Sequence, residues 1–283
     1  MASQPLPKRQ KPWWLAIERI RHQHLEQILD SAEGSSRLTS CGGPEGGAFL
    51  RATRGDGISS LSDAIFVAAV KYRLGLQTMP SMTCQLKTKD QQRLCNERAD
   101  PLGHHAVICK VGGAPYAAHS NGCHILQQAA IQAGYQAKRE QVVPELASAK
   151  CMSPQLDIEG WGLHGQPRLL VDFTIRHPAA SRYAAGRSST AAATDEKLAH
   201  YQPRGGLQVQ VAALEVYGKH GAGLRTLLEG MADQARQRDV AMGAKPGRWL
   251  KRWRAQLSHT AAACVGRAIQ QAATPSTQAA TCT

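Results

Sequence analysis

Two aspartates, Asp157 and Asp172, stand fifteen positions apart, each at the edge of a strand-like run. The first run reads Ser153-Pro154-Gln155-Leu156-Asp157-Ile158-Glu159-Gly160-Trp161, and the second Arg168-Leu169-Leu170-Val171-Asp172-Phe173-Thr174-Ile175. His164-Gly165-Gln166-Pro167 lies between them and has the composition of a turn. A hairpin folded on that turn brings the two carboxylates together. Paired carboxylates with phosphate oxygens suit Mg²⁺ (or Mn²⁺), a hard cation that prefers octahedral oxygen ligands and keeps several waters. Such an ion polarises a scissile phosphate and acidifies a bound water, while a nearby lysine stabilises the developing charge. Lys197, from the segment that follows, can supply that lysine, with Tyr201 four residues on along the same helical face. Glu140 is a further candidate carboxylate. The competing reading makes Asp157 and Asp172 ordinary surface or turn acids.

The polymer such a centre would cleave follows from charge. The 283 residues carry a formal net charge of +13, which favours a polyanionic partner, and nucleic acid above all. Hydrophobic residues make up 42% of the chain, enough for a globular core rather than a disordered tail. No run of about eighteen apolar residues is present, so no membrane span is expected. The first twelve residues are basic and lack the apolar core of a secretory signal. The run Lys8-Arg9-Gln10-Lys11 is compatible with a nuclear location.

Eight cysteines without a signal peptide point to reduced thiols or metal ligands rather than a disulfide framework. Four of them fall between positions 84 and 123, among or beside His104, His105, His119 and His124. Cys95, His105 (or its neighbour His104) and Cys109 supply three ligands of the kind tetrahedral Zn²⁺ takes. The fourth is Cys84, His119 or Cys123. The alternative is a set of reduced, buried cysteines.

The elements that must position these groups can be read from periodicity. Residues 13–32 form an amphipathic helix, and 33–47 a Gly- and Ser-rich loop. A second helix runs from Ser60 to Leu74, and 80–115 is irregular. A helix over 119–133 stops at Gly134, and a strand over 136–143 stops at Pro144. The hairpin occupies 154–176. On its second strand Val171 and Phe173 point away from the face that Asp172 shares with Leu170 and Thr174. A helix from Ala191 to Tyr201, a strand from Leu207 to Tyr217 and a helix from Leu224 to Arg236 complete an α/β core with a mixed sheet flanked by helices.

These residues, taken in order, resemble a known arrangement: the region downstream of the reverse transcriptase in non-LTR retrotransposons that carry a restriction-like endonuclease. There a Cys/His cluster precedes a nuclease of the PD-(D/E)XK type. The similarity covers roughly residues 45–235 and is most pointed at Asp100-Pro101-Leu102-Gly103-His104-His105-Ala106-Val107-Ile108-Cys109-Lys110-Val111-Gly112-Gly113. It continues through Arg139-Glu140, Leu156-Asp157-Ile158, Leu170-Val171-Asp172-Phe173-Thr174-Ile175, Lys197 with Tyr201, and Leu214-Glu215-Val216-Tyr217-Gly218.

The resemblance implies a restriction-endonuclease-like core and a Mg²⁺-dependent nickase that cuts one DNA strand to prime reverse transcription. It makes Asp157 and Asp172 the metal ligands, Lys197 the displaced catalytic lysine, and Glu140 and Tyr201 supporting residues. DNA, and RNA of the retroelement, are the implied partners. Thr174 occupies the position where many nucleases of this type carry their lysine. The chain departs from the family in lacking a cysteine just before Cys95, where Gln92 and Arg93 stand, and in reading Ala118-His119-Ser120 for Arg-His-Asn. The family's polymerase is not among these residues, so the expectation is a fragment, a degraded copy or a free-standing derivative. A degraded copy would be an inactive, nucleic-acid-binding remnant.

The expected organisation is a disordered basic leader (1–12), a helical segment (13–80) and a Cys/His-rich segment (81–118). The nuclease core (119–240), a basic Trp-containing helix (241–270) and a disordered tail (271–283) follow. In the basic helix Arg248, Lys251, Arg252 and Arg254 are placed to neutralise phosphates. Trp249 and Trp253 between them either stack on nucleic acid or dock on the core, and Trp13 and Trp14 beside Lys8, Arg9 and Lys11 repeat the composition.

Overall fold

The computed structural model describes residues 11–28, 32–51, 58, 60–90, 92–162, 168–183, 188–202, 206–241 and 248–274. The leader up to residue 10, the hairpin turn 164–167 and the tail from 275 lie outside the described residues, as do the side chains of Trp13 and Trp14. No helix among the described residues is long and apolar enough to cross a membrane.

Four strands make one mixed sheet in the order β3-β4-β5-β6: β3 (Gln136–Val142), β4 (Gln155–Trp161), β5 (Leu169–Arg176) and β6 (Val209–Glu215). The first two pairings are antiparallel and the last is parallel. A parallel pair needs a crossover, supplied here by α7 (Ser189–Leu198), which Ser188 caps by accepting from the Ala191 N–H. Alternation along β5 separates its two faces as the sequence predicts. Val171 and Phe173 enter one core with Ile158, Ala212 and Leu214, against α6 (Ala114–Ala133), α8 (Ala222–Ala241) and α9 (Trp249–Ala273). Leu170 enters another, with Leu156, Val209 and Tyr201.

The helix α6 starts five residues earlier than the sequence suggests, because Pro115 sits at its first turn behind Gly113, whose φ of 72° only glycine adopts freely. It lies close on β5 because Gly122 has no side chain. A Cβ there would stand 2.2 Å from the Phe173 ring.

The remaining elements are α1 (Lys11–Ile28), α2 (Ala32–Cys41), α3 (Gly43–Gly46), α4 (Asp63–Leu74), a short β1–β2 ladder (Met82–Thr83 with Arg98–Ala99) and α5 (His104–Ile108). The α2 and α3 helices replace the loop expected over 33–47. A third core joins α4 (Ala68, Tyr72), the Cys/His segment (Cys84, Ala106, Cys109), Tyr217 and α9 (Val265, Ile269). The helical, Cys/His and sheet-bearing parts therefore share buried side chains, and α9 ties them together.

Candidate functional site

The antiparallel ladder between β4 and β5 pairs Ile158 with Val171, and one step further along the same register Asp157 faces Asp172. The two carboxylates meet where the ladder ends. Lys197 Nζ lies 2.7 Å from Asp172 Oδ1, and the Tyr201 hydroxyl donates to Asp172 Oδ2. Tyr201 does this from just beyond the end of α7, not from within the helix. Asp157 Oδ2 accepts from the Phe173 N–H at 2.6 Å and stands 3.3 Å from His119 Nε2. His119 also directs Nε2 at the Phe173 carbonyl, 3.1 Å away, and the Cys123 sulfur lies 3.7 Å from its Nδ1.

These contacts give the two acids different chemistry. Burial works against ionising Asp157, but the His119 imidazolium, the Phe173 N–H and a hydrogen bond with Asp172 outweigh it and hold the carboxyl below its usual range. Asp172 is pushed up, chiefly by burial and also by the Asp157 charge, against the pull of Lys197 and Tyr201. Hydrogen bonds to Asp157 and Cys123 lift His119 to about 10, so it is an imidazolium at neutral pH. Two acids and two cations thus form one interlocked group. Asp172 is almost wholly buried, whereas 30% of the Lys197 side chain is accessible.

Glu140 sits across from Asp157 in the register but outside the ladder, between the rungs Arg139–Ile158 and Gln141–Leu156. It is exposed, and its φ of 56° is one that a residue with a side chain adopts at a cost. Among the described residues no hydrogen bond or ion pair of its carboxylate is found. Glu140 keeps to the exposed side of the alternation along β3, with Lys138 and Val142, and the supporting role implied for it has no contact behind it among the described residues.

The Cys/His segment closes on itself. Cys84, Cys95, His105 and Cys109 each offer a ligand atom, all within 4.8 Å of one another, a group that could hold a metal ion. Cys84 completes the set, while His119 and Cys123, the other two candidates, belong to the acidic centre. His105 faces the thiols (Nε2 to Cys95 Sγ, 3.4 Å), with Glu97 3.5 Å from its Nδ1. An acidic partner on the far nitrogen is what orients a metal-bound imidazole.

His104 does not join this group. Successive helical residues point about 100° apart, and His104 turns to Glu33 (2.7 Å), Tyr72 (3.1 Å) and His177 (3.1 Å) instead. Asp100 fixes both residues by accepting their N–H groups at the start of α5. Burial and the neighbouring sulfurs push the Cys84 thiol up to about 12, against a stabilising Leu86 N–H. The Cys109 thiol is raised by burial too, against the Gly112 N–H. Backbone donors aimed at two of the sulfurs are suited to thiolates, and a bound dication supplies the charge that ionises them.

The basic helix is only half as expected. Arg248 and Lys251 are exposed, but Arg254 pairs with Glu229 at 2.9 Å, and Arg252 donates to Gln132 at 2.5 Å while lying over the Trp253 ring. Trp253 is buried, and Trp249 packs against the same core. Their spacing on one helical face directs them inward and draws Arg252 and Arg254 down onto α6 and α8. No protein-family model matches the chain, and no curated protein matches it.

Proposed function

We propose that the chain is a metal-dependent DNA endonuclease of retroelement type, a nickase that hydrolyses one phosphodiester to prime reverse transcription. The observation that carries this reading is the meeting of Asp157 and Asp172 at the end of a strand pair, with Lys197 on Asp172. The mixed sheet with helices on both faces is compatible with a restriction-endonuclease-like core.

Asp157 and Asp172 fit a Mg²⁺ or Mn²⁺ ion. Each carboxylate oxygen has two lone pairs, so the contacts of Lys197 and Tyr201 do not exhaust those of Asp172, and an ion between the acids takes the place of the hydrogen bond that joins Asp157 to Asp172. When bound, the ion supplies a polarised phosphate and a more acidic water. The chain's own groups do the rest. Tyr201 and Lys197 fix the orientation of Asp172, and the Phe173 N–H fixes that of Asp157. The accessible part of Lys197 offers a positive charge to a phosphate oxygen.

A second reading, an inactive nucleic-acid-binding remnant, is favoured by one observation. His119 and Lys197 already neutralise the two acids inside the chain, so a metal must compete with both.

A supercoiled-plasmid nicking assay with Mg²⁺ or Mn²⁺ separates the two. The nuclease reading expects metal-dependent nicking that Asp157→Ala and Asp172→Ala each abolish and Lys197→Ala lowers by about 10² or more. Folded wild type that binds DNA without nicking it establishes the remnant.

For the four-ligand group we propose structural zinc on Cys84, Cys95, His105 and Cys109, a thiolate-rich tetrahedral set. The protein as purified is expected to carry about one zinc per chain and to lose structure on chelation. Normally folded protein free of zinc excludes the assignment.

A further inference from the structure

The acidic centre has a side that phosphodiester cleavage does not call for. His119 and Cys123 lie one turn apart on α6 and so project from the same face. Both reach Asp157, and the three ligand atoms lie within 4.8 Å of one another. Imidazole, thiol and a single carboxylate oxygen are a poor set for Mg²⁺, which takes oxygen alone, and a good one for the softer, borderline transition ions. The Phe173 carbonyl, 3.1 Å from His119 Nε2, holds the imidazole in place from outside the triad. Gly122, between the two helical ligands, lets α6 approach β5 closely enough for them to reach Asp157.

We infer that His119, Cys123 and Asp157 form a second metal site, one that takes a zinc-class ion (Zn²⁺ or Co²⁺) and shares Asp157 with the carboxylate pair. Three protein ligands leave a coordination position open, as in catalytic rather than structural zinc sites. The site also has a way out to solvent, since 38% of the His119 side chain and 18% of the Asp157 side chain are accessible. The ion it holds is exchangeable, unlike one held by four buried or half-buried ligands. An ion here engages Asp157, takes the place of a proton on His119 and of the Cys123 thiol proton, both released to solvent, and withdraws one of the two carboxylates from any hard cation. Zinc-class ions are therefore antagonists of the Mg²⁺ reading of the same centre. Only that consequence rests on the nuclease reading, and the site itself does not.

The test is anaerobic titration of the full chain, as purified, with Co²⁺. The readout is the difference in thiolate-to-cobalt charge-transfer absorption between wild type and Cys123→Ser. Zinc release is followed with a chromophoric chelator, so that exchange into the four-ligand group cancels between the two proteins. The expected difference is about one equivalent per chain. His119→Ala is expected to weaken the same binding at least about tenfold, and Cys151→Ser, which lies outside both groups, to leave it unchanged. Cys123→Ala serves as the second variant if the serine protein does not fold by circular dichroism. Equal absorption in folded wild type and in the Cys123 variant overturns the site and leaves a hydrogen-bonded ion pair in its place. No nicking assay enters the measurement, so a failed nuclease reading does not decide it.

Discussion

At the scale of single residues, the distribution of charge inside the molecule can be tested without substrate. His220 is fully buried, neither ring nitrogen has a hydrogen-bonding partner among the described residues, and only its backbone oxygen is engaged, by Arg225. Burial, and then the charges of Arg254 and Arg225, depress it to about 3. The unfolded chain takes up a proton near pH 6.5 that the folded chain refuses. Stability is therefore full above pH 6.5 and falls as the pH drops toward 3, by about 2 kcal/mol between pH 7 and pH 5 from this residue. His177, lowered to about 4 by burial, acts in the same direction. His119 acts in the opposite one: its contribution is full below pH 6.5 and fades as the pH rises toward 10. Urea denaturation of His220→Leu at pH 7 and pH 5 isolates the first effect. The leucine protein is expected to match or exceed wild type at pH 7, since an unpartnered polar ring is removed, and to lose about 2 kcal/mol less on going to pH 5. An unchanged pH dependence would mean that the ring is hydrated or paired.

At the scale of elements, the contact between α6 and β5 governs the acidic centre. An alanine at position 122 presses on the Phe173 ring, whose backbone N–H and carbonyl hold Asp157 and His119. Gly122→Ala is expected to cost about 1–3 kcal/mol by overpacking and to lower any activity of the pair. Gly230 is the matched control: it lies within α8 with nothing near its would-be Cβ. Gly230→Ala is expected to stabilise by about 0.5–1 kcal/mol. Equal effects in a denaturation series would show that α6 is free to shift.

The same contact explains what was legible in the sequence. The period-2 runs and the turn residues between them marked β4 and β5, and with them the approach of Asp157 to Asp172, because neighbours on a hairpin are local. Lys197 was legible as a helical residue following the hairpin, whereas Tyr201 reaches Asp172 from beyond the end of α7, so its helical spacing from Lys197 is not what brings it there. His119 is one of three candidates for the fourth zinc ligand on sequence, because its neighbours are Cys/His-rich. What sends it to Asp157 is the docking of α6, a long-range event signalled only by the small residue at 122. The Gly- and Ser-rich residues of α2 have poor helix propensity, and the sequence alone gave no sign of the contacts that overcome it, such as Glu33 with His104.

At the scale of the whole molecule, a net charge of +13 predicts binding to a polyanion but does not say which surface meets it. The α9 helix narrows the choice. Of its four basic residues near the N-terminus, Arg252 and Arg254 are tied to Gln132 and Glu229, and the adjoining face of α8 also carries Asp233 and Asp239. A phosphate arriving there meets a mixed field, and of the four only Arg248 and Lys251 are exposed and, among the described residues, without such a partner. Counterion release makes the logarithm of the DNA-binding constant fall with that of salt by about 0.9 per phosphate neutralised. If both exposed cations contact the backbone, Arg248→Ala with Lys251→Ala lowers the slope by about 1.8. Adding Arg252→Ala and Arg254→Ala changes the slope little further but lowers the melting temperature, because these two hold α9 to its neighbours. A slope untouched by the double variant moves the DNA to another face. Asp157→Ala is the companion measurement: it removes a negative charge beside His119 and is expected to keep or tighten binding in both the nuclease and the remnant. Loss of binding in that variant would show that Asp157 supports the surface rather than the chemistry.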